Sequence, residues 1–110
     1  WSHISDDRQA SVPGYPEGPI QGEGRLISIL RTYPNLFCDL SAGSGLNALK
    51  RDPASAIRFL TEFQDRVCFG RDCFTTDLKN FLDELSLPGA LRDKIYAGNA
   101  GRLISEEAAV

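Results

Sequence analysis

Two short apolar runs, Leu36-Phe37-Cys38-Asp39-Leu40 and Val67-Cys68-Phe69-Gly70, constrain this chain more than any other feature. They start about thirty residues apart with a helical pattern between them, the size of one strand–helix–strand unit. The runs are therefore predicted to be neighbouring parallel strands. Two parallel strands cannot stand alone, because parallel sheets are covered on both faces. The 110 residues give room for one small domain at most. The chain has no Met and opens on Trp1. It therefore reads as a piece of a larger α/β product, or as a processed one.

The rest of the chain is organised around these runs. Residues 1–24 are loop-like, punctuated by Pro13, Gly14, Pro16, Gly18, Pro19, Gly22 and Gly24. So long a stretch is a linker or a long functional loop. Residues 25–33 predict a helix with Leu26, Ile29, Leu30 and Tyr33 on one face, stopped at Pro34-Asn35. Ser41 to Gly45 predict a loop of small residues. Asp52 caps a second helix that Pro53 begins, with Ala56, Ile57, Leu60 and Phe63 as its apolar stripe. Leu78, Phe81, Leu82 and Leu85 mark a third helix, and Leu91, Ile95 and Tyr96 a fourth. Gly98-Asn99 is expected to close the fourth in left-handed backbone. Leu103 and Ile104 sit in a last short turn, and 105–110 form a frayed tail.

Charge and cysteine usage narrow the partners. Twelve Lys and Arg against fifteen Asp and Glu give −3, with the basic residues scattered. That argues against nucleic acid. No stretch approaches the ~18 uncharged apolar residues of a membrane span. No secretory signal is visible. Three cysteines are an odd number for a disulfide framework, so reduced thiols and a cytoplasmic location are expected. Cys38 and Cys68 sit in apolar runs, where a free Cys behaves as a small hydrophobe. A zinc site from Cys38, Cys68, Cys73 and His3 is the sharper alternative, but no C-x2-C pair is present. Exposed strand edges imply that the chain alone aggregates. A homo-oligomer is left open.

In parallel α/β folds, chemistry gathers where strands end. Two segments qualify: Asp39 to Gly45 and Phe69 to Cys73. Strand alternation puts Val67, Phe69 and Arg71 on one face and Cys68, Gly70 and Asp72 on the other. The large side chains should meet helices, and the small ones a crowded interior. Asp72 is then carried onto the inner face at the strand's carboxyl end. A carboxylate there binds a metal or takes a proton from water. The competing reading is an Asp that caps the next helix or pairs with Arg71. Phe37, Asp39 and Ser41 share a face of the first strand, so Asp39 also points inward, or is a structural carboxylate. The A-G-S-G loop lacks the G-x-S-x-G of a nucleophile elbow. His3, the only histidine, reads as structural.

Tyr33-Pro34-Asn35-Leu36-Phe37-Cys38-Asp39-Leu40-Ser41 resembles the "YPN-apolar-D-L-S" segment of the amidohydrolase-related family. Phe69-Gly70-Arg71-Asp72 resembles that family's "F-G-[ST]-D" segment on the final barrel strand. Gly98-Asn99-Ala100 followed by Leu103 resembles its closing "G-N-A-x-x-L". The resemblance spans most of residues 25–104 and implies the C-terminal portion of a (β/α)8 TIM-type barrel. The two strands would be its seventh and eighth. Such a barrel needs about 250 residues, so its remaining strands would lie upstream. The resemblance further implies an enzyme that hydrolyses or decarboxylates a small molecule, usually with one divalent metal, often zinc. The family's metal-binding histidines match nothing in this chain. Its strand-eight carboxylate maps onto Asp72, as metal ligand and catalytic group. Asp39 and Ser41 would line the same mouth as substrate contacts. Arg71 departs from the family's Ser or Thr. The alternative is a small α/β binding module, or a decayed fragment, with no catalysis.

Overall fold

The computed structural model describes residues 1–6, 14–72 and 74–108, with the side chains of 106–108 left aside. A 3-10 turn at Ser2–Ile4 is followed by α1 (Arg25–Thr32), β1 (Cys38–Asp39), α2 (Ala42–Lys50) and α3 (Pro53–Glu62). Then come β2 (Val67–Cys68), α4 (Asp77–Glu84) and α5 (Gly89–Asp93). A π turn at Lys94–Gly98 joins α5 to α6 (Asn99–Ala108). The strands pair in parallel, with Cys38 opposite Val67 and Asp39 opposite Cys68. The single predicted strand–helix–strand unit is therefore present, bridged by two helices rather than one.

One face of the sheet carries the core. Leu40 and Val67 are fully buried there, together with Leu30, Leu49, Leu60, Leu82 and Ile95 from the helices. The expected stripe of α1 is rotated. Ile27 and Leu30 are buried, while Ile29 and Tyr33 are exposed. The cause lies outside the helix. The Gly24 N–H donates to the Ile4 carbonyl at 3.2 Å, and a Cβ on Gly24 would stand 2.0 Å from the His3 carbonyl oxygen. That close approach sets the 3-10 turn against α1, so that Ile4 and Ile27 border one cleft.

Ser41 to Gly45 do not form the expected loop: Ala42 to Gly45 are the first turn of α2. Gly45 is needed there because a Cβ would fall 2.4 Å from the Leu40 carbonyl oxygen. Tertiary contact overrides the poor helix propensity of small residues. In α3 the Asp52 carboxylate accepts the Ser55 N–H at 3.2 Å, and Pro53 opens the helix as expected. Ala56, Phe59, Leu60 and Phe63 are buried, but Ile57 is not. Helix α4 buries Leu78 and Leu82 as its pattern predicts.

Gly98-Asn99 does not close a helix either. The backbone runs through it in helical geometry, with Asn99 at φ −66°, and continues to Ala108. Asn99 is instead a buried staple. Its Nδ2 donates to the carbonyls of Gln64 at 2.6 Å and Val67 at 2.8 Å, fixing α6 to the start of β2.

The segment from Gly14 to Gly24 is loop, but a tied one. Asn47 Nδ2 donates to the Pro16 carbonyl at 2.8 Å, and Arg51 Nε to the Gly18 carbonyl at 2.9 Å. The Gln21 N–H donates to Ser5 Oγ at 2.8 Å. Arg31 bridges Glu23 and Glu62, joining this strap to α1 and α3. Among the described residues no helix is long and apolar enough to cross a membrane.

Candidate active site at the carboxyl ends of the strands

The second face of the sheet is open, and it gathers four of the residues the alternation assigned to it, Asp39, Ser41, Cys68 and Gly70. Asp39 follows buried Cys38 and is exposed. Its Oδ1 accepts the Ser41 N–H at 2.8 Å and the Ser41 hydroxyl at 2.5 Å. Gly70 belongs to the same face. A Cβ built on it would lie 2.2 Å from Ser41 Oγ and 3.1 Å from Asp39 Oδ1. Cys68 also faces this group. Its thiol is pushed up from the ordinary range by burial and then by the Asp39 carboxylate. Asp39, Ser41, Cys68 and Gly70 thus form one small polar patch at the mouth of the strand pair. The patch is crowded at Gly70, as a small residue on an inner face implied.

Backbone bonds continue past the two-residue strands. The Cys38 N–H donates to Arg66 at 2.8 Å, Leu40 to Cys68 at 3.0 Å, and Ala42 to Arg71 at 2.9 Å. Two residues at this end take left-handed backbone, Ala42 at φ 63° and Asp72 at φ 52°. For residues with a Cβ this conformation costs of order 1–2 kcal/mol and is held only where surroundings impose it. Both strand ends therefore turn sharply where chemistry is expected. Asp72 is exposed at the second turn. Period-two alternation describes the strand as far as Arg71, and the left-handed residue ends it.

Arg71 shares the outer side with Phe69, where both border a cleft between α2 and α4. Phe69 stacks edge-on against Tyr96, centroids 5.0 Å apart. The Tyr96 hydroxyl donates to Asp83 at 2.9 Å. Burial, then the Asp83 carboxylate, push the Tyr96 phenol up to about 12.

The free edges of the sheet carry residues that the sequence did not single out for this role. Trp1 Nε1 donates to the Asp39 carbonyl at 3.1 Å on the open side of β1, while its ring packs edge-on against Phe59. On the open side of β2, the Phe69 N–H donates to the Ile95 carbonyl at 2.8 Å. Nothing in the local pattern marks either contact, since each joins residues far apart in sequence. His3 is exposed in the 3-10 turn. Cys38 and Cys68 are free thiols, and their register places them on opposite faces of the sheet. Cys73 lies outside the described residues. Among the described residues, no three His, Cys, Asp or Glu side chains converge to hold a metal.

The class this arrangement defines is a parallel α/β protein with its polar residues collected at the carboxyl ends of the strands, where enzymes of that class do their chemistry. Residues 13–105 match the sequence profile of the amidohydrolase family, and the chain belongs to that family. The match takes in both strands and the patch between them. No curated protein and no solved structure matches the chain.

Proposed function

We propose that this chain is the carboxyl-terminal part of a (β/α)8-barrel hydrolase that acts on a small molecule, by hydrolysis or decarboxylation, in the cytoplasm. The family match over residues 13–105 carries this reading. The open second face of the sheet supports it, because a parallel pair needs cover on both sides and a barrel provides it. The remaining strands would stand upstream and close over the patch of Asp39, Ser41, Cys68 and Gly70. The oligomeric state would be that of the complete barrel.

Asp72 is the proposed catalytic carboxylate. It is exposed at the carboxyl end of β2, where it can hold and accept the proton of an attacking water. Asp39 is engaged by both groups of Ser41, so it serves better as an orienting carboxylate than as a base. The pair would contact substrate at the mouth. The reading calls for a divalent metal, zinc, which lowers the pKa of a bound water towards neutrality. Asp72 offers that metal one oxygen donor. The described residues do not supply the other ligands, so a metal centre requires groups from the upstream strands.

The test is Asp72→Asn in the full-length protein, assayed against small amides and aromatic carboxylic acids. Turnover is expected to fall by more than a hundredfold, the usual scale for a positioned proton-transfer group, with the fold retained. Activity within about tenfold of wild type would remove Asp72 from the reaction.

A further inference from the structure

The peptide unit between Asp39 and Leu40 is held from both sides. Its N–H, on Leu40, donates to the Cys68 carbonyl of β2 at 3.0 Å. Its carbonyl, on Asp39, points the opposite way, to the outer edge of β1, where no strand pairs among the described residues. The Trp1 indole stands there in place of a strand, with Nε1 donating to that carbonyl at 3.1 Å. Groups other than Asp39 seat the indole. Its ring packs edge-on against Phe59, centroids 5.8 Å apart, and Phe59 is buried in α3. The Trp1 backbone carbonyl accepts the Ile4 N–H at 3.0 Å, and Ile4 is buried too. Directly after the clamped peptide, Ser41 grips the Asp39 carboxylate through its N–H and its hydroxyl. Ala42 then turns into left-handed backbone at φ 63°, a conformation that lasts only where its surroundings impose it.

We propose that Trp1 is a positioning residue for Asp39, and that its indole does at this edge what a neighbouring strand does elsewhere in a sheet. A strand of two residues has little of its own to fix a peptide plane. With the N–H held by β2 and the carbonyl held by the indole, the plane keeps one orientation. The Asp39 carboxylate and the Ser41 groups that grip it are therefore held in one place at the mouth. Water satisfies the carbonyl when the indole donor is removed, but a water brings no fixed direction. Removal of the donor thus costs orientation more than stability. The inference rests on the proposed reaction for its catalytic consequence alone, since the clamp itself is geometry.

The experiment is Trp1→Phe, which keeps a ring against Phe59 and removes the donor. In the ¹⁵N-labelled chain, deuterium exchange of the Ser41 N–H should quicken about tenfold, the worth of one net hydrogen bond. The amide of fully buried Leu60 should exchange as before. In the full-length protein the same substitution should lower kcat/KM about tenfold, part of the roughly hundredfold that a 1 Å misplacement costs. In an Asp39→Ala background it should lower kcat/KM less than about twofold, because Trp1 acts through Asp39. An unchanged exchange rate at Ser41 overturns the proposal, and so does an equal loss of kcat/KM in both backgrounds. Faster exchange at Ser41 and Leu60 alike would make Trp1 a support of the whole fold, which overturns it as well. If the full-length protein turns over no small amide or carboxylic acid, the proposed reaction falls, and the exchange rates alone decide the clamp.

Discussion

Gly70→Ala tests the geometry of the mouth most directly. The backbone at Gly70 is not in the left-handed region, so alanine is not excluded by its own conformation. The obstacle is the space beyond it. The added methyl would lie 2.2 Å from Ser41 Oγ, a separation that real Cβ atoms do not show. Ser41 can yield by rotating its hydroxyl, but that breaks its 2.5 Å bond to Asp39. A hydrogen bond to a charged group contributes about 1.5–3 kcal/mol, with the lower end fitting a half-exposed site. A displaced rotamer adds about 0.5 kcal/mol. Against these stands about 0.4–1 kcal/mol from the reduced entropy of the unfolded chain when Gly becomes Ala. The net expectation is a destabilisation of about 1–1.5 kcal/mol, or a melting temperature lower by roughly 4–10 °C for a chain of this size. The same substitution made in a Ser41→Ala background tells the causes apart. With the hydroxyl gone, the nearest remaining atoms are Asp39 Oδ1 at 3.1 Å and Ser41 Cβ at 3.5 Å, so Gly70→Ala should then cost under about 0.5 kcal/mol. Urea unfolding of the four proteins gives the coupling. Equal costs in both backgrounds would show that the clash with Ser41 is not what the methyl feels.

Three other perturbations follow from the packing. Asn99→Ala leaves the Gln64 and Val67 carbonyls without their donor and should cost about 2–3 kcal/mol in urea unfolding; a loss under 0.5 kcal/mol would mean that Asn99 is not the staple of α6. Cys38→Ser places a hydroxyl in the core and should cost about 1–3 kcal/mol without changing turnover in the full-length protein, whereas loss of a bound metal would revive a cysteine ligand. The Tyr96 phenol, followed by ¹³C-tyrosine NMR, should ionise near 12, above the ordinary value of about 10. Since the folded state favours the neutral phenol, its stabilisation is complete below pH 10 and lost as the pH rises through 12. Asp83→Asn should bring that titration down, and an unchanged midpoint would assign the shift to burial alone.

Much of this was legible in the sequence because it is local. The parallel pairing follows from the spacing of two apolar runs. The inner face of Asp39, Ser41, Cys68 and Gly70 follows from a period of two. The Asp52-Pro53 start of α3 carries its own chemistry. What escaped is set by partners distant along the chain. Ile27 is buried because Ile4 arrives from the 3-10 turn, and residues 25–33 hold no record of that. Ser41 to Gly45 have the composition of a loop, yet Gly45 serves the contact between a helix and the Leu40 carbonyl. Gly98-Asn99 has the form of a helix end, but Asn99 spends its side chain on the carbonyls of Gln64 and Val67. Small and polar residues are ambiguous in this way: the same freedom that suits a turn also suits close packing.

The π turn at Lys94–Gly98 makes the length of this segment matter as much as its composition. The Asn99 N–H bonds to the Lys94 carbonyl five residues back, one more than in an α-helix. That extra residue advances everything after it by about 100° around the helix axis. The phase of α6 is thereby set so that Asn99 turns inward to β2. Removing one residue between Leu91 and Gly98 would leave every remaining side chain chemically intact and rotate Asn99 away from the strand. At this point the sheet counts residues rather than reading them, and a substitution cannot repair what a deletion undoes.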